Sequence, residues 1–88
     1  MKRWVVVFRS LANINRLKII GILSGGKKMN VSDIARELHI SFKATSNHLA
    51  MLKNLDVVEA EGVAGHVFYS INNKMPHDFY KILSYIRK

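Results

Sequence analysis

Residues 31 to 55, VSDIARELHISFKATSNHLAMLKNL, constrain the fold more than any other stretch, because two short helical patterns meet there almost without a spacer. Val31, Ile34, Ala35 and Leu38 fall on one helical face, and after His39 and Ile40 the second pattern opens at Ser41, a good helix N-cap. That second helix turns Thr45, His48, Leu49, Leu52 and Leu55 inward. At about 100° per residue, Lys43, Asn47, Ala50 and Asn54 then lie on the opposite face, with Ser46 and Phe42 on one flank. The stretch reads as a helix-turn-helix. Its outward face is small and polar with one cation, which suits a DNA major groove better than a core.

The flanking patterns extend this unit. Residues 3 to 12 put Trp4, Val7, Phe8 and Leu11 on one face of a first helix, against the lower helix propensity of the β-branched run Val5 to Val7. Asn13 or Asn15 can cap a second helix that runs to about Ser24, with Leu17, Ile20, Gly21 and Leu23 or Ser24 inward and Gly25-Gly26 ending it. Asn30 opens the third helix, and Asp33 three residues on approximates a capping box. After Leu55 the hydrophobic period changes from 3.6 to 2. Residues 57 to 61 and 66 to 71, joined by a tip at 62 to 65, predict a β-hairpin. Pro76 precedes a last helix from about His77 to Arg87, with Phe79, Ile82, Leu83 and Ile86 on one side. The expected fold is mainly α with a small β-hairpin, about five helices by the 3.6-residue pattern, arranged as one winged helix-turn-helix domain over residues 1–88.

A chain of 88 residues buries only about two-thirds of the surface its unfolded form exposes, and so small a core cannot easily absorb both terminal stripes. Trp4, Val7, Phe8, Leu11, Phe79, Ile82, Leu83 and Ile86 are therefore expected to line a two-fold dimer interface; the alternative is packing within the monomer. Fourteen Lys and Arg against six Asp and Glu give a formal charge of +8, which favours a polyanionic partner such as nucleic acid. The absence of cysteine excludes disulfides, thiolate metal sites and a Cys nucleophile. The apolar run from Trp4 to Phe8 is cut off by Arg9 and is too short for a signal h-region or a span, so a cytoplasmic protein without membrane contact is expected. The carboxylates are scattered and no catalytic or phosphate-cradling motif appears, so neither enzyme activity nor a cofactor is expected.

These residues resemble the ArsR-type family of small dimeric winged-helix transcription regulators over nearly the whole chain. FRSLANINRLKII at 8 to 20 is similar to that family's second-helix entry pattern. SFKATSNHLAMLKNLDVV is similar to its Ser-Gln-x-x-x-Ser-x-His-Leu recognition helix, and EGVAGHVFYSI to its Glu-Gly-Arg-x-x-x-Tyr-Tyr wing. The resemblance implies an operator-binding homodimer with the first and last helices at the interface. Several departures matter. Where many metal-sensing members carry Cys-Val-Cys, this chain has Asn30, Val31 and Ser32. Other members bind zinc through Asp and His pairs on the last helix, but here His77 and Asp78 are followed by Lys81 and Ser84, so no metal site is expected. Phe42 stands in place of the usual Gln, and the wing lacks the family Arg, leaving His66 as its potential cation between Glu59, Glu61 and the tip.

Candidate DNA-contacting residues follow. Lys43 and Asn47 can reach base edges, Lys at guanine and Asn bidentately at adenine, or nearby phosphates. Phe42 offers a thymine-methyl contact or packs on a neighbouring helix. Ser46 donates to a phosphate or bonds its own backbone; Ser41 is a cap first. His48 reads as a packing residue for which the resemblance allows a phosphate contact, and a protonated His66 would improve a wing contact. Arg16 is a phosphate clamp or a surface charge, Arg36 a surface charge, and Lys27 and Lys28 either meet phosphates or are solvated. The expected function is a sequence-specific, dimeric, metal-independent DNA-binding regulator of the repressor kind, acting on double-stranded DNA with or without an unidentified effector or protein partner. The alternatives are a winged-helix protein-interaction module and a non-specific architectural DNA binder.

Overall fold

In the computed structural model, which describes residues 2–86 with the side chain of Ile86 excepted, helices α1 (Lys2–Leu11) and α2 (Ile14–Leu23) precede a short strand β1 (Met29–Asn30). Helices α3 (Val31–Leu38) and α4 (Phe42–Asn54) form the helix-turn-helix, strands β2 (Val58–Val63) and β3 (His66–Ile71) the wing, and α5 (His77–Ile86) follows.

Side-chain caps mark the helix starts. The Asn13 Oδ1 accepts from the backbone N–H groups of Asn15 and Arg16 at 3.0 and 3.2 Å, so Asn13 rather than Asn15 opens α2. Asn30 accepts from the Asp33 N–H at 2.8 Å at the start of α3, and the Ser41 hydroxyl accepts from the Ala44 N–H at 3.0 Å at the start of α4. Each satisfies a donor that the helix itself leaves without a partner. The Asp33 carboxylate does not complete a capping box, since it pairs with Arg36 at 3.2 Å instead.

Between α3 and α4 the chain turns at His39, whose backbone is left-handed (φ 58°, ψ 41°) and whose N–H caps the end of α3 on the Ala35 and Arg36 carbonyls. A β-carbon makes this conformation costly, and helices that end this way normally carry glycine there. His39→Gly is expected to raise the unfolding free energy by about 0.5–1 kcal/mol. Urea denaturation checks this, and a loss of stability would show that the imidazole itself holds the turn.

The sheet has the order β1-β3-β2, antiparallel throughout. β1, which the two-fold pattern does not announce, pairs Met29 with Tyr69 and Asn30 with Phe68. The hairpin closes on two residues, Ala64 (φ 52°) and Gly65 (φ 82°), a tighter turn than the four-residue tip expected from the sequence. Two positive φ values in a two-residue loop match the twist of the flanking strands.

The buried side chains join in one cluster, to which α1 gives Val7 and Leu11, α2 gives Ile19, Ile20 and Leu23, and α3 gives Ile34. Leu49 and Leu52 from α4, Val57 and Val58 leading into the wing, and Phe79 and Leu83 from α5 complete it. Four of the residues expected in a dimer interface, Val7, Leu11, Phe79 and Leu83, are thus buried in the chain's own core, with at most 5% of their surface exposed. The terminal helices pack on each other, α1 also packs on α2, and both reach the common core, which absorbs one side of both stripes. In α2 Ile20 and Leu23 are buried as expected, with Leu17 packed against the core and Ile19 also buried, whereas Gly21, expected inward, is exposed. Arg3 on α1 clasps α5, pairing with Asp78 at 2.5 Å while its guanidinium lies 5.4 Å from the centre of the Phe79 ring.

Candidate nucleic-acid interface

The thirteen-residue helix α4 is held by Thr45, Leu49 and Leu52, all buried, and the opposite face is thereby forced outward. Lys43, Asn47, Ala50 and Asn54 are all exposed on it. Neither Lys43 nor Asn47 is drawn into an ion pair or side-chain hydrogen bond among the described residues. Phe42, at the first turn, is 59% exposed, and no other aromatic ring among the described residues stacks on it. An apolar ring left in water at the tip of such a helix gains on meeting another apolar group.

The hydroxyls divide by position. Ser41 uses its oxygen as the cap acceptor, which leaves its O–H free to donate. Thr45 is buried and donates to the Ser41 carbonyl at 2.9 Å, whereas Ser46, half-buried on the flank, makes no such bond among the described residues.

Two basic residues have tasks that spacing does not reveal. Arg16 is not a free surface charge but is engaged within the chain. Its guanidinium donates to the Ser10 carbonyl (2.5 Å) and the Arg9 carbonyl (3.2 Å), capping the C-terminal end of α1, and its third nitrogen lies 3.3 Å from His48 Nδ1 on α4. Lys28 pairs with Glu61 at 3.2 Å, tying the loop before β1 to the wing. Arg36 is exposed and pairs with Asp33 at 3.2 Å.

The wing carries His66 at its tip, exposed and with its ring 6.3 Å from that of Phe68. Val63 and Val67 beside it are also about half exposed, so the wing presents a largely apolar edge above the two glutamates.

Burial first, and the neighbouring Arg16 charge second, hold the His48 imidazole below its ordinary value. The unfolded chain therefore takes up a proton at this ring near pH 6.5 while the folded chain resists it, so stability falls as pH drops below about 6.5. Asp78 is depressed chiefly by its hydrogen bond from Arg3, which adds a second decline below about pH 4. Urea midpoints from pH 8 to 3 are expected to show both limbs, with His48→Gln removing the upper one alone. A flat profile from pH 7 to 5 would contradict this assignment.

Among the described residues no three His, Asp or Glu side chains are grouped so as to hold a metal, and Asp78 is committed to Arg3. No helix is long and apolar enough to cross a membrane.

With this geometry in hand, comparison with known proteins gives consistent relatives. A family model described as bacterial regulatory protein, arsR family, matches residues 13–60. The transcriptional repressor SdpR of Bacillus subtilis is 32% identical over 83 residues, covering 93% of this chain and 91% of SdpR. The cadmium resistance regulatory protein CadC of Listeria innocua is 39% identical over 66 residues, 75% of this chain but only 56% of CadC. Among solved structures, HlyU from Vibrio cholerae, which is described as a transcriptional activator, superposes with a TM-score of 0.78 at 26% identity, over 97% of this chain and 88% of HlyU.

Proposed function

This chain belongs to the ArsR family of bacterial regulatory proteins and is a winged helix-turn-helix DNA-binding regulator without the family's metal-binding cysteines, and on that premise we propose that it is a homodimeric, metal-independent repressor acting through an inverted-repeat operator. The carrying observation is the outward face of α4, where Phe42, Lys43 and Asn47 are presented together on a capped helix, with neither Lys43 nor Asn47 in an ion pair or side-chain hydrogen bond among the described residues. In this reading the 88 residues act as one DNA-binding domain. Lys43 and Asn47 read base edges, and Phe42 lies against a thymine methyl. Ser41 and Ser46 donate to phosphates, and His66 reaches the backbone from the wing. His48 joins them in the role argued below.

Dimerisation is supported by what the core leaves outside. Trp4 (39% exposed) and Phe8 (55%) stack on each other at 5.9 Å on the outer side of α1, next to Val5, and Tyr80 stands exposed on α5. Such a strip is an ordinary protein-contact surface, and two copies joined there would pair two recognition helices about one DNA turn apart. Repression is favoured because SdpR, whose length the chain nearly spans, is a repressor.

Selection of binding sites from a random duplex pool tests the proposal. The expected outcome is an inverted repeat with half-sites about one helical turn apart. A pool that converges on no consensus counts against sequence-specific reading, a single asymmetric half-site against the dimer, and increased transcription in vitro from a promoter carrying the site against repression.

A further inference from the structure

We infer that Arg16 fixes the tautomer of His48 so that the ring meets an operator phosphate through Nε2–H, as a neutral hydrogen-bond donor; Arg16 is then a positioning residue for the recognition helix. The inference rests on the DNA-binding reading above and adds a chemical role that the spacing of the sequence does not contain.

A guanidinium has five N–H donors and no acceptor, and it does not lose its charge in a protein. The Nη1 of Arg16, 3.3 Å from His48 Nδ1, therefore has only a lone pair to point at, and the imidazole proton must sit on Nε2. Arg16 cannot easily turn away, because its other nitrogens are held by the Ser10 and Arg9 carbonyls. The ring is thus oriented from one side by a group that is itself anchored in α1.

Two further observations point outward to an anion. First, no buried side-chain nitrogen or oxygen among the described residues lacks a partner, and the His48 ring meets Arg16 through Nδ1, so its Nε2 edge is open to solvent. Second, Arg16 is neutralised by no carboxylate among the described residues; its partners are two carbonyls and an imidazole. An uncompensated cation behind an outward N–H attracts a phosphate oxygen. His48 follows Asn47 directly on α4 but sits on the half-buried flank, off the face that would enter the groove, where contacts to the backbone rather than to base edges are made. The same surroundings disfavour a charged ring, so the donor is present without protonation.

Glutamine and asparagine separate the two ring nitrogens, since a Gln amide reaches the place of Nε2 and an Asn amide only that of Nδ1. With the selected operator at fixed salt, His48→Gln is expected to bind within about threefold of wild type and His48→Asn about tenfold more weakly, the loss of one charge-assisted hydrogen bond. The slope of log K against log salt should be the same for both, because a neutral donor releases no counterion, whereas Lys43→Ala should lower it by about 1 if its ammonium meets a phosphate. Nitrogen-15 spectra of the free wild-type chain should show the His48 proton on Nε2 at neutral pH, and this reading needs no variant to fold. Protonation on Nδ1, or a His48→Asn variant that binds as well as wild type while wild type binds its operator, overturns this inference alone. A wild type that selects no operator overturns it together with the DNA-binding reading.

Discussion

Phe79→Ala is expected to lower the unfolding free energy by about 3–5 kcal/mol, the range for removing a buried aromatic ring. Phe79 is the largest of the fully buried side chains, and it comes from α5, a terminal helix that reaches the core with Leu83 beside it. A chain of this length has a total stability on the order of 5–10 kcal/mol, so the loss removes a large part of it. The melting temperature should fall by about 12 °C or more, read by circular dichroism. Phe79→Leu, which keeps much of the volume, should cost clearly less. A loss below about 1 kcal/mol for the alanine variant would mean that α5 rests on the surface and contributes no core.

The second large effect concerns reading rather than folding. Asn47→Ala is expected to weaken binding to a selected operator by about 1–3 kcal/mol, roughly 5- to 150-fold, and to relax the preference for one base pair per half-site. Stability should hardly change, since Asn47 is exposed and its side chain makes no hydrogen bond among the described residues. Its amide can accept from and donate to adenine at once, and alanine can do neither. Affinity for random duplex should stay the same, because that term belongs to the phosphates. Equal weakening on selected and random DNA would assign Asn47 to the backbone, and no weakening on either would remove it from the interface.

How much of this was legible depended on how local the cause was. The caps at Asn13, Asn30 and Ser41 act within three residues, so the helix starts could be read from the chain, and the change of period after Leu55 marked the wing. β1 could not be read, since two residues carry no periodicity and Met29 and Asn30 are strand only because Tyr69 and Phe68 lie opposite. The left-handed turn at His39 goes against the residue's preference and is imposed by the packing of α3 on α4. An apolar stripe says that a helix face is covered but not by what, and hence Val7, Leu11, Phe79 and Leu83 could not be told from interface residues beforehand. Arg16 is the sharpest case: its charge left a phosphate clamp and a surface charge both open, and neither reading anticipates hydrogen bonds to two carbonyls and to a ring 32 residues away.

The short strand has a mechanical meaning. Asn30 pairs through its backbone with Phe68 in the wing, and the same residue's side chain starts α3. Wing and helix-turn-helix are therefore geared through a single residue, with no slack linker between them, and the Lys28–Glu61 pair spans the same joint from the side. A force that tilts the hairpin is therefore passed directly to the start of α3, the first helix of the helix-turn-helix. The wing, whose own edge has so few charges to offer, is thereby joined to the helix-turn-helix at the start of α3.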